Sequence, residues 1–163
     1  MKNKALAWTS ILAISGGLLA ASIVPLAQAA DKNRDDVMKY RHLFMETKGK
    51  HNQAIKLLVK SKVSYSHIVT HAEALAAMAD DMLMLFPANS FSGKSRALSS
   101  IWDKDGKLAS DFVAQAELMK VESKKMVDVA KAGNYKAIKK QLGILANKGC
   151  RGCHTKYRGD DNN

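Results

Sequence analysis

Cys150, Cys153 and His154 are the residues of this chain whose types and spacing point most directly to chemistry. They sit in the run Cys150-Arg151-Gly152-Cys153-His154, a C-x-x-C-H signature of c-type haem attachment. On a helix, two thiols three residues apart share one face and can add to the two vinyl groups along one side of a porphyrin. His154 follows four residues after Cys150, so its imidazole can reach the iron from the same side and become the proximal ligand. The chain has two cysteines, and both lie in this motif. A redox dithiol of the same spacing expects a strand–helix context, and nothing here reads as β. A structural zinc site needs four Cys or His ligands, and no second cysteine pair exists. The cofactor expected from these residues is one covalent haem c.

Positioning such a motif requires a scaffold, and the apolar periodicity predicts four helices. The first starts near Asn33 or Asp35 and runs to Lys60, with Val37, Tyr40, Phe44, Met45, Ile55, Leu58 and Val59 inward. The second carries Tyr65, Ile68, Ala72, Leu75, Ala79, Met82 and Leu83, and Phe86-Pro87-Ala88-Asn89 stops it. A Ser- and Gly-rich connection from Pro87 to Asp105 follows. The third helix runs from about Gly106 to Lys131, with Phe112, Ala116, Met119, Met126 and Ala130 inward. Ala132-Gly133-Asn134 is a turn. The fourth helix runs from Asn134 to about Tyr157, with Tyr135, Ile138, Leu142, Leu145, Cys150 and Cys153 on one side. Helices of about 25 residues are ~37 Å long, the scale of a four-helix bundle. The fold class expected is all-α, an antiparallel four-helix bundle with haem near the C-terminus.

Residues 1–29 read as a secretory signal peptide. Lys2 and Lys4 precede an uncharged, mostly apolar stretch from Ala5 to Leu26, and Ala27-Gln28-Ala29 fits a small-x-small cleavage site. That leaves 30–163 as one domain with no membrane span, in the bacterial periplasm, where haem attachment follows export. The formal net charge is +11, and Lys2 and Lys4 supply two of it. Between Lys120 and Arg158 there are eleven Lys or Arg against two acids, Glu122 and Asp128. Such a field steers acidic partners toward this end, so redox proteins with acidic docking faces are the partners expected. Nucleic acid is excluded by export and by the scarcity of aromatics among the bases.

At this point the sequence resembles the class II cytochromes c, the cytochrome c′ family. The haem motif lies at the C-terminus and is followed by Tyr157-Arg158, as in the family's C-x-x-C-H-x-x-[FY]-R ending. Ala132-Gly133-Asn134, Phe86-Pro87-Ala88, Ile101-Trp102 and Val37-Met38-Lys39-Tyr40-Arg41 fit the family's pattern in the same order. The resemblance implies a distal role for the residue four after Arg41, which is Met45. In many family members an aliphatic there leaves iron five-coordinate, and in low-spin members a Met ligates. It further implies that Arg41 pairs with a haem propionate, for which a planar guanidinium is suited, and that Arg158 lies near the imidazole of His154. Pairing into a homodimer through the first two helices is a further family habit.

Of the remaining histidines, His67 and His71 lie four apart and could clip a surface metal, and His42 or His51 could make a bis-His iron. No phosphate loop, Ser-His-Asp order or carboxylate pair with a pocket appears, which argues against an enzyme. The leading expectation is an electron carrier with iron held by His154 and Met45. The alternative is a high-spin cytochrome c′-like protein binding NO or CO at a five-coordinate haem. Either way, the mature protein should keep its haem mass through acid–acetone extraction. A mass equal to the bare chain would refute the attachment.

Overall fold

The computed structural model describes residues 26–88, 90–91 and 95–160, with side chains from residue 33 onward. Helix α1 spans Leu26–Ser61 and starts earlier than Asn33 or Asp35. Ala27, Gln28, Ala29 and Ala30 are good helix formers, and nothing between them and Asp35 breaks the helix. The expected cleavage site thus lies in the first turn of α1, and residues 1–25 lie outside the described residues.

A tight turn with left-handed backbone at Lys62 and Ser64 leads into α2, Tyr65–Asp80. The α-helical part ends before the expected Phe86. The chain tightens into a 3-10 turn over Met82–Leu85, whose three-residue repeat buries both Met82 and Leu85. The described part of the long connection is folded rather than open. Trp102 Nε1 donates to the Phe86 carbonyl at 3.2 Å, and Ala109 N donates to the Ile101 carbonyl at 2.9 Å. Asp103 Oδ1 accepts from the backbone N–H of Asp105 and of Lys107, both at 2.9 Å, and Gly106 adopts φ +76°. This Asx-type turn competes with helix formation. It explains why α3 spans Ser110–Lys131 and not the expected start at Gly106.

Gly133, at φ +70°, reverses the chain. Asn134 Oδ1 then caps α4, Tyr135–Ile144, by accepting from the backbone N–H of Lys136 and Ala137. The expected single fourth helix is interrupted. Leu145–Arg151 forms a π-helical turn, and α5, Gly152–Tyr157, completes the run.

α1 packs on α2, α2 on α3, α3 on α4, and α4 back on α1, which closes an antiparallel four-helix bundle. Tyr65 stacks on Tyr135 with ring centroids 4.3 Å apart, so the two short turns share one end of the bundle. At the opposite end Leu98 N donates to the Tyr157 carbonyl and Gly159 N to the Arg96 carbonyl. The core contains Ile55, Ile68, Leu75, Ile101, Phe112, Met126, Ile138 and Leu145. Tyr40 and Tyr65, expected inward, are 57% and 40% exposed. Each rests its ring on a neighbouring aromatic and leaves its rim in water. Among the described residues no strand forms, and no helix is long and apolar enough to cross a membrane.

The π turn brings Gly149 against α3. A Cβ at Gly149 would lie 2.6 Å from Met119 Sδ and 3.3 Å from Leu145 Cδ1, both on buried side chains. Gly149→Ala should therefore destabilise the protein by about 1–3 kcal/mol through overpacking, measured by denaturant midpoint. An unchanged midpoint would show that Met119 yields freely.

Candidate haem site

A cavity of about 1100 Å³ opens between α1 and the Cys150–His154 segment. α1 lines it with Met38, Arg41, Met45, Lys48 and Asn52, whose spacing of three and four residues makes one stripe of the helix. Gly149, Cys150, Cys153 and His154 line it from the other side. Leu75, Met82, Phe86, Phe112, Leu145 and Tyr157 supply apolar lining. α1 packs on α2 and α4, whereas α5 packs on α3 and the π turn, so the cavity keeps the two functional segments apart.

Cys150 and Cys153 are free and half-buried. Burial pushes both thiols up, Cys153 to about 11, against the opposing pull of the Lys48 charge. At neutral pH they are thiols, not the thiolates that a redox dithiol uses. Burial, and then the charges of Arg158, Arg96 and Lys48, hold the His154 pKa below its ordinary value. The neutral imidazole is the form that ligates a metal. Arg158 Nη1 lies 3.2 Å from His154 Nδ1, so the guanidinium flanks the imidazole.

Arg41 is buried and engaged. Its Nη1 donates to the Leu85 carbonyl at 3.1 Å and to Ser90 Oγ at 3.0 Å. Its Nη2 donates to the Ser90 carbonyl at 2.6 Å and to Ser95 Oγ at 2.8 Å. The guanidinium lies 4.8 Å from the centroid of the Phe86 ring. What the geometry shows is a clamp on the 85–95 loop at the cavity's edge. Met45 is half-buried and packs against the core from the cavity wall.

Sequence reasoning missed Lys48. It is only 7% exposed, 3.8 Å from Met82 Sδ and 5.8 Å from the centroid of the Phe44 ring. Among the described residues no carboxylate pairs with it, and burial pushes its pKa down to about 8. Asn52, one turn further along α1, has a buried Oδ1 with no hydrogen-bond partner. The available signal was position. Lys48 and Asn52 continue the Arg41–Met45 stripe, yet a lysine by type reads as solvated.

The other sequence candidates separate. His42 sits at the rim, 3.4 Å from Glu46 and mostly exposed. His51 Nδ1 meets His71 Nδ1 at 2.9 Å, so His71 contacts α1 instead of forming a clip with His67. Among the described residues no group of three or more His, Cys, Asp or Glu could hold a metal ion. The basic excess is partly neutralised. Lys120 and Lys124 both lie 3.2 Å from Asp80, Lys125 pairs with Glu122, and Lys131 with Glu73. Lys136, Lys139, Lys140, Lys148, Arg151 and Lys156 remain as an exposed basic face on the C-terminal helical run.

Two half-buried thiols and a neutral imidazole on the wall of a large, mainly apolar cavity fit a covalently held haem. The family described as cytochrome C′ matches residues 36–158. Solved structures agree in fold. Cytochrome c prime from Shewanella frigidimarina is 22% identical with a TM-score of 0.69, and 78% of this chain covers 97% of that one. A nitric oxide complex of a variant cytochrome c prime from Alcaligenes xylosoxidans is 20% identical with a TM-score of 0.68, at 78% and 97% coverage. A cytochrome c′ from Rubrivivax gelatinosus is 19% identical with a TM-score of 0.66, at 77% and 96% coverage. A comparison with curated proteins finds no match. Fold, motif and cavity define a c-type monohaem cytochrome, with one covalent haem c as its cofactor. The chain belongs to the cytochrome c′ family.

The buried ammonium has a consequence for stability. Its pKa is about 8 in the fold and 10.5 ordinarily, so between these values the unfolded chain binds the proton and the folded chain does not. Stability must then rise with pH across that window, by on the order of 3 kcal/mol. Denaturant titrations of the haem-loaded protein at pH 7.5 and about 10.5 should show this rise, and Lys48→Met should flatten it. An equal rise in both proteins would refute the burial cost.

Proposed function

We propose that this protein binds NO or CO at the iron of its haem c, with Cys150 and Cys153 carrying the thioethers and His154 the proximal ligand. Haem, held by these three residues, would supply the iron that binds the gas. The chain's own residues fix orientation and access. Burial of the imidazole, and then the charge of Arg158 beside it, keep His154 neutral. Arg41 holds the 85–95 loop against the cavity, and a contact from Arg41 to a haem propionate is part of the same proposal. The α1 wall, facing the cavity across from His154, supplies the environment of the gas.

The observation that carries this reading is membership of the cytochrome c′ family across residues 36–158, centred on an open cavity. The electron carrier with Met45 as sixth ligand, favoured by the sequence, gains no support. Met45 has apolar packing of its own against the core, and a thioether in that role is ordinary filler. Exchange of an electron remains within the reach of any c-type cytochrome, and the exposed basic face from Lys136 to Lys156 suits an acidic partner. Export to the periplasm follows from the signal read at residues 1–29. Exposed Leu43 and Leu57 on α1 support self-association through that helix.

Optical and EPR spectra of the purified protein test the reading. High-spin iron is expected in both redox states, with CO binding readily to the ferrous form. Met45→Leu should leave the spin state unchanged. A low-spin spectrum that becomes high-spin in Met45→Leu would restore the electron-carrier reading.

A further inference from the structure

The α1 wall of the cavity carries two poorly satisfied polar groups. Lys48 is 7% exposed, and among the described residues its Nζ meets the soft acceptor Met82 Sδ at 3.8 Å and the Phe44 ring at 5.8 Å from its centroid. Asn52 Oδ1 is buried with no donor. The two residues are four apart, hence on one face of α1, and both line the same cavity. Buried polar groups in folded proteins are almost always paired, and a buried ammonium without an anion is costly. A porphyrin face is apolar and would leave both groups unsatisfied. A buried cation whose side-chain partner is a thioether sulfur and an acceptor with no donor, on one wall, therefore point to a polar occupant between haem and α1.

The charge of the occupant follows from the donor set. An ammonium offers three donors and no acceptor. Water would satisfy it in part, whereas an anion would satisfy it with a charge-assisted bond. One anion would arrive with the haem itself, as a propionate. Its position argues against that source. Lys48 lines the cavity together with Cys150 and Cys153, whose sulfurs mark the edge where the vinyl-derived bonds form. The propionates leave the porphyrin on the opposite side. Arg41, seven residues earlier and roughly 10 Å away along α1, guards the other edge beside the 85–95 loop.

We propose that Lys48, supported by Asn52, makes the α1 side of the haem cavity a receptor for small monoanions that ligate ferric iron, the class of azide, cyanide and nitrite. The ammonium donates to the bound anion. Asn52 Oδ1 accepts from the ammonium or from a water between them, and so holds the lysine in the cavity. The site would then select by charge as well as size. Neutral CO would draw little from Lys48, and an anion would draw much. The inference rests on the reading that the iron face toward α1 is open to exogenous ligands.

The test uses the haem-loaded protein. Ferric protein is titrated with azide and with nitrite, and ferrous protein with CO, each followed in the Soret band, for the unaltered chain, Lys48→Met and Lys48→Arg. Methionine keeps the volume and removes a costly buried charge, so that variant should fold at least as well. Azide and nitrite affinity should fall about 10- to 100-fold in Lys48→Met and stay within about threefold in Lys48→Arg, with CO affinity changed by less than about twofold. Anion affinities within about twofold of the unaltered protein would overturn the proposal, as would an equal loss for azide and CO. If azide binding holds while the reduction potential of Lys48→Met moves, the ammonium serves a propionate, and the proposal falls by that route. A protein that is low-spin through Met45 and binds neither CO nor azide fails the open-face reading instead. One that binds CO normally but ignores the Lys48 substitution fails this inference alone.

Discussion

The bundle must keep a cavity large enough for a porphyrin inside a core that would otherwise collapse, and one guanidinium sets that space. Arg41 ties α1 to the Leu85 carbonyl and to Ser90 and Ser95 of the connection between α2 and α3. Those bonds span more than forty residues of sequence and join elements that the short turns at the other end of the bundle cannot restrain. Burial of an arginine costs free energy unless its donors are filled. Here four acceptors and the face of Phe86 fill them. The loop in turn docks on the C-terminal strand-like segment through Leu98, Arg96 and Gly159. First helix, long connection and haem motif are thereby held as one rim around the cavity, while Ile55, Ile68 and Ile138 close-pack farther from it.

Charge is distributed with the same economy. On the outside, Asp80 bridges Lys120 and Lys124, and their hydrogen bonds hold its pKa below the usual carboxylate range. Glu122 is held low in the same way, by Gln141 first and then by Lys125. These acids of α2 and α3 leave the uncompensated positive charge to the C-terminal helical run. Around the cavity, burial and then the charges of Arg158, Arg96 and Lys48 all act on His154 in one direction, against protonation. The cavity and the cations at its edge therefore favour a neutral imidazole and a site that welcomes negative charge.

Much of this was legible in the sequence. The motif at 150–154 named the cofactor because few chemistries need two thiols and an imidazole at that spacing. The four helices were legible because amphipathic stripes of Ile, Leu, Met and Phe repeat at three and four. The inward positions of α3 were read without error, since Phe112, Ala116, Met119, Met126 and Ala130 are all buried. The failures share a cause. Asp103, Gly106 and Lys107 form a local turn whose hydrogen bonds compete with a helix that the apolar pattern permits. Tyr40 and Tyr65 have apolar bodies and polar rims, so periodicity could not say how far they sink. Lys48 was hardest, because its burial is imposed by the cavity. Nothing in an amino-acid type shows that a helix faces empty space intended for a cofactor. Met45 was located on the right wall by spacing, but spacing does not distinguish a thioether that ligates from one that packs.

The π turn at Leu145–Arg151 carries an implication for how such a chain can change. A π turn amounts to one residue more than an α-helix needs, and each α-helical residue turns the chain by about 100°. Everything before the turn is phased to the core of the bundle, and everything after it is phased to the cavity. Wound as a regular α-helix, the same seven residues would be better hydrogen-bonded locally. They would also turn the chain further, by roughly a third of a turn, and carry Cys153 and His154 away from the space they line. The irregularity is thus a gear between two phases of one helix. A substitution that straightened this turn would strengthen the helix and cost the site its register.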